Sequence, residues 1–287
     1  MKITKAVIPA AGFGTRVLPA TKAIPKEMFP LVEKPAIQHI VEEAVASGIK
    51  DILIVTNRGK NSIEEHFDRT PELESHLEKH DKLKDLEEVR KISKLANVYF
   101  LRQKELKGLG HAVYAARDFV GKEPFAVLYG DDVITSKIPV CGVLAELYYE
   151  FGLGVVGVGQ VPRDQISKYS SVKIEKIRDR TFRCNDMIEK PKEFQVMSFY
   201  AILGRCILPY EIFKFLENAK PGAGGEIQLT DAMKTLARNQ GMIAFEYEGT
   251  RHDIGSKLGF AKAFIHMALE SREIGKDVRD WIINEVK

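Results

Sequence analysis

Short apolar runs alternate with amphipathic segments through the first half of the chain. Four runs rich in β-branched residues are typical of buried strands, and they cover residues 6–8, 52–55, 98–101 and 125–128. Between the first two, apolar residues recur at helical spacing from Ile37 to Val45, and Gly48 stands where such a helix would end. Strands joined through helices need crossover connections, so the pattern predicts an α/β fold whose largely parallel sheet is covered on both faces.

The pattern changes after about residue 154, where strand-like runs are joined by longer connections. These runs cover residues 155–158, 172–174 and 199–202, and helical patterns return at 209–218, 226–238, 256–270 and 276–286. Residues 64–95 are dense in charge with regularly spaced leucines, which indicates an inserted helical hairpin. Because no repeat, low-complexity tract or linker interrupts the chain, we expect one domain over residues 1–287.

Charge is nearly balanced, with 43 basic and 40 acidic side chains and a net charge of +3. That balance argues against non-specific attraction to nucleic acid or membranes, so any anion site has to be local. The three cysteines lack the spacing of a disulfide framework or a zinc site, and we expect a cytoplasmic protein. The N-terminal apolar stretch is too short for a signal peptide, and no run approaches the ~18 apolar residues of a membrane span.

The first predicted strand leads into a loop rich in glycine and cations, AAGFGTRVLPATKAIPKEM, at residues 10–28. A dinucleotide fold would have a third glycine where this chain has Val17, and it would have a carboxylate after the second strand. That strand instead ends in Thr56-Asn57-Arg58, and no P-loop sequence occurs in the chain. The sequence therefore argues against a dinucleotide site and excludes a P-loop.

The same loop has the features that a triphosphate requires. Glycine lets backbone N–H groups approach an anion closely, here over Ala10, Ala11, Gly12, Gly14 and Thr15. Arg16 adds a guanidinium fork for phosphate, and Lys26 follows Pro25, which stiffens the chain that returns the lysine toward the same anion. Two cations and a set of backbone donors on one loop predict a nucleoside triphosphate site.

Two adjacent carboxylates, Asp131 and Asp132, follow the apolar run at 125–128. In a parallel sheet, functional side chains gather at the carboxyl ends of the strands. Magnesium prefers one or two carboxylates together with phosphate oxygens and water, so this pair predicts a metal site beside the triphosphate.

Taken together, these motifs are similar to those of the sugar-phosphate nucleotidylyltransferases, and more closely to those of the bacterial-type UTP–glucose-1-phosphate uridylyltransferases (UDP-glucose pyrophosphorylases). The resemblance begins with Gly12-x-Gly14-Thr15-Arg16 and with PKEMxPL and KP at residues 25–31 and 34–35. It continues with KNSIE at 60–64, KGLGHAV at 107–113, EKP at 189–191 and PGAGGEIQLTDA at 221–232. The last motif and the helical insertion favour the uridylyl branch over thymidylyl relatives.

The resemblance implies a Rossmann-like nucleotidyltransferase fold with a mixed, mainly parallel central sheet flanked by helices. Residues 1–135 would mainly bind the nucleotide, and residues 136–287 would mainly bind the sugar phosphate. The implied reaction transfers a uridylyl group from UTP to glucose 1-phosphate, with Mg²⁺ as cofactor and UDP-glucose and pyrophosphate as products. The family also implies a homodimer or homotetramer.

The resemblance assigns roles residue by residue. Cations that stabilise the reaction would be Arg16, Lys26 and Lys190, and metal ligands would be Asp131 and Asp253. Nucleotide contacts would come from Ala10, Ala11, Gly12, Gly14, Thr15, Glu27, Gln103, Gly108 and Asp132. Sugar-phosphate contacts would come from Glu189, Lys190, Tyr200 and Ala201. We interpret His111 as a capping or packing histidine, and we expect Pro191 to hold Lys190 in an extended conformation.

One departure leaves the sugar open. Family members usually have Tyr-Gly-Val in the sugar-binding loop, whereas this chain has Tyr169-Ser170-Ser171-Val172. Alternatives are therefore the same reaction with another sugar 1-phosphate or with dTTP, and a catalytically silent nucleotide-sugar sensor. A sensor would be expected to lose Arg16, Lys26 or Asp131, and all three are present.

Overall fold

The computed structural model of the protein describes residues 2–285, which form thirteen β-strands and eleven α-helices. The strands are β1 Lys5–Pro9, β2 Pro30–Leu31, β3 Lys34–Pro35, β4 Asp51–Thr56, β5 Asn97–Arg102, β6 Phe125–Leu128, β7 Asp132–Thr135, β8 Val155–Gln160, β9 Ser170–Arg178, β10 Thr181–Glu189, β11 Tyr200–Leu208, β12 Met242–Glu246 and β13 Thr250–Asp253. The helices are α1 Ala36–Ala46, α2 Asn61–Phe67, α3 Pro71–Lys79, α4 Leu83–Ile92, α5 Leu109–Ala115, α6 Arg117–Val120, α7 Val140–Phe151, α8 Ile212–Glu217, α9 Leu229–Gln240, α10 Lys257–Glu270 and α11 Gly275–Glu285.

A nine-stranded sheet in the order β5-β4-β1-β6-β11-β8-β12-β10-β9 runs through both halves of the sequence. The first four strands in that order are parallel, as helical crossovers require. Strand β11 then pairs antiparallel with both β6 and β8, and β9 and β10 form an antiparallel hairpin at the far edge. The sheet is therefore mixed: four parallel strands come from the first half, and β8 and β12 form one further parallel pair in the second half. The short pair β7–β13 lies outside it.

Alternate side chains of the central strands supply two hydrophobic cores. In β4, Ile52 and Ile54 face the core beneath α1 and α7, whereas Leu53 and Val55 face the core beneath α5, α8 and α9. All four side chains are buried, which explains why the run is continuously apolar rather than alternating. Full burial of each such side chain stabilises the fold by about 1.5–3 kcal/mol. The strands are thus fixed, and their carboxyl ends can hold loops in place.

The α/β class and most of the predicted elements are confirmed. The helical hairpin in the insertion forms as α3 and α4, which bury Leu77 and Leu86. Strands β2, β3, β7, β10, β12 and β13 were not predicted, and neither was helix α7. Strand β10 carries polar residues and register shifts, which hide its pattern. The last residue of the helix predicted over 276–286 lies outside the described part of the chain. No helix within residues 2–285 is long and apolar enough to cross a membrane.

Candidate active site

The glycine-rich loop leaves the carboxyl end of β1 and is fixed there by its neighbours. The Ala10 N–H donates to the Val55 carbonyl at 2.8 Å, and the Asn57 side-chain amide donates to the Ala11 carbonyl at 2.5 Å. Gly14 has φ +68°, the left-handed conformation that glycine adopts readily, and it starts a short 3-10 turn at Thr15–Val17. The start of the predicted anion loop is thus held by strand β4 and by Asn57, which follows that strand.

A cavity of about 480 Å³ opens beneath this loop. It brings together much of the predicted nucleotide set, and its lining includes Ala10, Ala11, Gly12, Thr15, Lys26, Glu27, Gln103, Gly108, Tyr129 and Asp131. These residues come from the ends of β1, β5 and β6 and from the segments that follow them. The residues that were predicted to bind the nucleotide and that line this cavity could therefore contact the same nucleotide.

Gln103, beyond the end of β5, is buried and oriented by two neighbours. Its side-chain nitrogen lies 3.3 Å from the Gly108 carbonyl, to which it donates, and 2.7 Å from His111 Nδ1. Burial lowers the pKa of His111, so the neutral ring can accept from the amide at neutral pH. His111 therefore orients Gln103, which is more specific than the capping or packing role that the sequence indicated.

The wall next to Gln103 is built from two segments that are distant in sequence. The Ile227 N–H donates to the Lys107 carbonyl at 2.7 Å, and the Gly110 N–H donates to the Ile227 carbonyl at 2.8 Å. Gly108 has φ +98°, and a Cβ there would lie 2.6 Å from Glu226 Cβ. The glycine at 108 is thus required by backbone conformation and by the approach of Glu226.

Glu27 forms a buried ion pair that the sequence did not reveal. Lys60 Nζ lies 2.8 and 2.7 Å from the two carboxylate oxygens of Glu27, and the two side chains are only 5% and 1% exposed. Burial works against both charges, raising the pKa of Glu27 and lowering that of Lys60. Because both oxygens of Glu27 contact Lys60, the pair fixes the turn that carries Lys26. A direct contact of Glu27 with nucleotide stays a prediction.

Asp131 is the meeting point of the cations in the loop. Lys26 Nζ lies 2.6 Å from Asp131 Oδ2, and Arg16 Nη2 lies 3.8 Å from the same oxygen. Burial alone would raise the pKa of Asp131, but Lys26, Arg251 and Arg16 outweigh burial and hold that pKa below its ordinary value. The carboxylate, 29% exposed, is therefore ionised at neutral pH and faces the cavity.

Asp253 reaches the same point from the other end of the chain. Strand β13 pairs with β7 so that Asp253 stands opposite Asp132, and the Ile254 N–H donates to the Asp131 carbonyl at 3.0 Å. A Cβ built on Gly255 would lie 2.9 Å from Asp253 Oδ1 and 3.0 Å from Asp131 Oδ2. The two predicted metal ligands therefore converge, and a side chain at 255 would crowd both of them as well as Arg16, whose Nη2 would lie 2.5 Å from that Cβ.

Two carboxylates that converge beside a phosphate loop fit the needs of Mg²⁺, which takes hard oxygen ligands and completes its shell with phosphate oxygens and water. Over residues 2–285, no cluster of three or more His, Cys, Asp or Glu side chains could hold a metal by protein ligands alone.

Asp132 is held from inside the protein. Its side chain is 3% exposed, and Arg251 Nη2 lies 2.7 Å from its Oδ1. Its carbonyl accepts from Arg205 Nη2 at 2.9 Å, and Arg205 is in turn paired with Glu43. Burial raises the pKa of Asp132 to about 6 against the opposing charge of Arg251. Arg205 and Arg251 were not predicted, because an isolated arginine in a strand carries no local signal.

The sugar-phosphate motif lies at the end of β10. Glu189 Oε2 accepts from Thr230 Oγ1 at 2.8 Å, and burial raises the pKa of this carboxyl despite that hydrogen bond. The pKa of Tyr129 is raised well above its ordinary value, mainly by burial and to a smaller extent by Cys206, Glu189 and Asp132. Tyr129 lines the nucleotide cavity, whereas Glu189 is not among the residues that line it.

The expected extended conformation of Lys190 is wrong. Its φ is +47°, in the left-handed region, and its N–H donates to the Tyr169 carbonyl at 2.8 Å. This hydrogen bond to the neighbouring loop outweighs the local preference that Pro191 imposes. The exposed side chain is therefore directed by Tyr169 as well as by the proline.

Tyr200 and Ala201 are consecutive residues of β11, so their side chains lie on opposite faces of the sheet. Ala201 is fully buried against Ile166, and the Tyr200 hydroxyl donates to Glu246 at 3.0 Å. At most one of the two can therefore line a sugar pocket with its side chain.

Ser170, which replaces the usual glycine, is buried and accepts from the Ile202 N–H at 2.9 Å through its hydroxyl.

Comparisons with known proteins agree with this geometry. The profile of the nucleotidyl transferase family matches residues 5–270. UTP–glucose-1-phosphate uridylyltransferase of Bacillus subtilis (strain 168) is 48% identical over 273 residues, covering 95% of this chain and 94% of the relative. The enzyme of that name from Staphylococcus epidermidis (strain ATCC 12228) is 48% identical, with 98% of each chain covered.

Solved structures give the same result. A UDP-glucose pyrophosphorylase complexed with UDP-glucose superposes with a TM-score of 0.86 at 38% identity, covering 94% of this chain and 100% of that chain. A UTP-bound UGPase from Acinetobacter baumannii superposes with a TM-score of 0.91 at 37% identity, covering 98% and 99%. The resemblance inferred from the sequence motifs is thereby confirmed. The chain belongs to the nucleotidyl transferase family, in the branch of the UTP–glucose-1-phosphate uridylyltransferases.

Proposed function

We propose that this chain transfers a uridylyl group from UTP to glucose 1-phosphate, giving UDP-glucose and pyrophosphate. The observation that carries the proposal is the convergence of Lys26, Arg16 and Asp131 at one edge of the nucleotide cavity. Two polyanions must approach each other in this reaction, so charge neutralisation and positioning supply most of the catalysis. The site offers cations and carboxylates of that kind, and the reaction needs no protein nucleophile.

On the nucleotide side, the loop over residues 10–15 supplies backbone N–H donors, and Arg16 and Lys26 supply positive charge to the phosphates. Charge on Asp131 and Glu27 raises the pKa of Lys26 although burial alone would lower it, so the ammonium group keeps its proton. In the proposed reaction a phosphate oxygen of glucose 1-phosphate attacks the α-phosphorus of UTP in line with the leaving pyrophosphate. Gln103, which His111 orients, would recognise the base edge.

Asp131 and Asp253 would hold Mg²⁺, supported by Asp132. A bound Mg²⁺ would neutralise phosphate charge and orient the phosphates. The carboxylate of Asp131 suits this role because its pKa is held low, which keeps the oxygens ionised. Lys26, already 2.6 Å from Asp131, would lie next to both the metal ligand and the phosphates.

On the sugar side, Glu189 would accept hydrogen bonds from glucose hydroxyls, and Lys190 would bind the sugar phosphate. The contact of Glu189 with Thr230 and the contact of Lys190 with Tyr169 support this division, because they hold the carboxylate and the backbone of the lysine in defined positions. Ser170 directs its hydroxyl to the interior, where it accepts from the Ile202 N–H, so the departure from the usual glycine is compatible with the same sugar loop.

Pyrophosphate release with Mg²⁺, measured for UTP and dTTP against a panel of sugar 1-phosphates, tests the proposal. We expect UTP with glucose 1-phosphate to give the highest kcat/KM. The Asp131→Asn variant should lose about 100-fold or more in kcat, because a charged ligand that positions phosphates is lost. Asp118→Asn is a matched control, since Asp118 is 87% exposed on α6 and should leave kcat unchanged.

No pyrophosphate with UTP and glucose 1-phosphate would contradict the proposal, and a higher kcat/KM for another sugar or for dTTP would favour the alternative substrates. Sedimentation of the full chain would test the homodimer or homotetramer that the family resemblance predicts.

A further inference from the structure

Arg251 contacts both halves of the site at once. It lies on β13, two residues before Asp253, with its side chain 18% exposed. Its Nη2 lies 2.7 Å from Asp132 Oδ1, and its guanidinium carbon lies 5.3 Å from the centre of the Tyr169 ring. One planar cation therefore joins a carboxylate next to Asp131 to an aromatic ring of the sugar-side loop.

Its contact with Asp132 reaches the carboxylates that are proposed to hold the metal. Asp132 stands opposite Asp253 in the β7–β13 pair and directly follows Asp131 in the chain. The Ile254 N–H, one residue beyond Asp253, donates to the Asp131 carbonyl. The Asp132 that Arg251 contacts is thereby connected through the backbone to both Asp131 and Asp253.

Its contact with Tyr169 reaches the residues that are proposed to bind the sugar phosphate. The Tyr169 carbonyl accepts from the Lys190 N–H, and this hydrogen bond accompanies the left-handed conformation of Lys190. Ser170, the next residue, pairs with Glu189 across β9 and β10. The position of Tyr169 therefore sets the positions of Glu189 and Lys190.

The guanidinium is not arranged as a purely structural ion pair would be. Its Nε is buried without a hydrogen-bond partner among the described residues, although guanidinium donors in a protein interior are normally satisfied. By contrast, Arg178 forms two hydrogen bonds of 2.7 and 2.6 Å with Glu150 and lies 5.6 Å from the Phe151 ring, on the β9–β10 hairpin. Arg178 thus also contacts a carboxylate and an aromatic ring, but it forms two hydrogen bonds with its carboxylate partner.

We propose that Arg251 is a positioning residue, which couples the sugar-phosphate half of the site to the Asp131–Asp253 half. It holds Tyr169, and through Tyr169 the backbone of Lys190, in a fixed relation to Asp132. The proposal rests on the proposed function, because it concerns how glucose 1-phosphate is aligned with UTP. It predicts that loss of the guanidinium disturbs alignment while leaving the nucleotide loop intact.

The test compares Arg251→Gln, Arg251→Lys, Tyr169→Leu and the Arg251→Gln/Tyr169→Leu double variant, with Arg178→Gln as matched control. Binding of UTP and of UDP-glucose is measured calorimetrically in EDTA, and kcat and KM are measured with Mg²⁺. For Arg251→Gln we expect UTP affinity within about threefold of wild type. UDP-glucose affinity should fall at least about tenfold, and kcat should fall about 100-fold, as for a misplacement of about 1 Å.

Arg251→Lys keeps a positive charge beside Asp132 but lacks the planar fork. Its melting temperature should therefore be close to that of wild type, whereas its kcat should stay as low as that of Arg251→Gln. The double variant should bind UDP-glucose no more weakly than the worse single variant, because both changes break one connection. Arg178→Gln should match wild type in every measurement.

Equal losses of UTP and UDP-glucose affinity, or additive effects in the double variant, would overturn the coupling role. Restoration of kcat by Arg251→Lys would also overturn it. If wild-type protein failed to bind UDP-glucose at all, the proposed function would fail instead, so the two failures are distinguishable.

Discussion

Replacing Arg205 by methionine tests the buried ion pair that anchors Asp132. Arg205 is fully buried on β11, and its guanidinium nitrogens lie 2.7–3.0 Å from the carboxylate of Glu43 on α1. The same guanidinium donates to the carbonyls of Gly204 and Asp132, at 2.9 Å each. Methionine fills a similar volume but provides none of these donors, so the substitution isolates their loss.

The magnitude follows from what stays buried. Removing one partner of a buried ion pair costs about 3–5 kcal/mol, because the remaining carboxylate of Glu43 keeps its charge in the interior. Each carbonyl that loses its donor adds about 1 kcal/mol or more. We therefore expect R205M to lower the free energy of unfolding by about 5 kcal/mol and the melting temperature by about 10–20 °C.

Urea unfolding followed by circular dichroism measures this loss, with R205M/E43L and R178M as companions. The double variant removes both charges and should regain about half of the loss, while the carbonyls of Gly204 and Asp132 still lack their donor. R178M breaks a half-exposed pair and should cost less than about 1 kcal/mol. A loss below about 1 kcal/mol for R205M would refute the reasoning, and equal losses in the single and double variants would exclude buried charge as the cause.

Other predictions concern the site and the insertion. Gly255→Ala should lower kcat by about 10- to 100-fold with an unchanged melting temperature, because its Cβ would displace Arg16, Asp253 and Asp131, which it would approach to 2.5, 2.9 and 3.0 Å. Gly142→Ala, with ordinary contacts in α7, should leave kcat unaltered. Lys26→Met should lower kcat by about 100-fold or more in the pyrophosphate assay, since a cation at the transferred phosphate is lost, and a loss confined to KM would contradict this. Hydrogen bonds from Arg69 and Arg90 lower the pKa of Glu74 to about 2. Because this folded-state pKa lies below the unfolded value of about 4.3, the stabilisation is present above that pH and is lost as pH falls toward 2. Glu74→Gln should therefore lower the melting temperature at pH 7, and the difference from wild type should narrow by pH 3; a difference that stays constant would be inconsistent with this titration.

The sequence predicted best those parts of the fold and of the site whose residues are close together in the chain. The nucleotide loop at 10–28 could be predicted because its glycines and cations stand close together in one segment that directly follows a predicted strand, and the structure places part of it at a cavity. Long apolar strands were readable because burial on both faces leaves continuous runs, as in β4 and β6.

Contacts between residues that are distant in sequence could not be predicted in this way. Lys60 and Arg251 are single cations among 43, and only the folded chain shows that they contact Glu27 and Asp132. The conformation of Lys190 was predicted wrongly because the local effect of proline was the only signal, whereas a hydrogen bond from a distant loop decides it. Strand β10 was missed because its partners, rather than its own residues, define it.

The contacts between residue 227 and the segment at 107–110 have a consequence for how an active molecule comes into being. The wall beside Gly108 needs Ile227, and the carboxylate that converges with Asp131 comes from position 253, so over a hundred residues separate the partners in each case. Contacts of such long range form late in folding, and the N-terminal part of a chain leaves the ribosome first. A nascent chain therefore has its phosphate loop well before it has a complete site. Activity can begin only after synthesis has passed residue 253, so interrupted translation yields fragments without this chemistry.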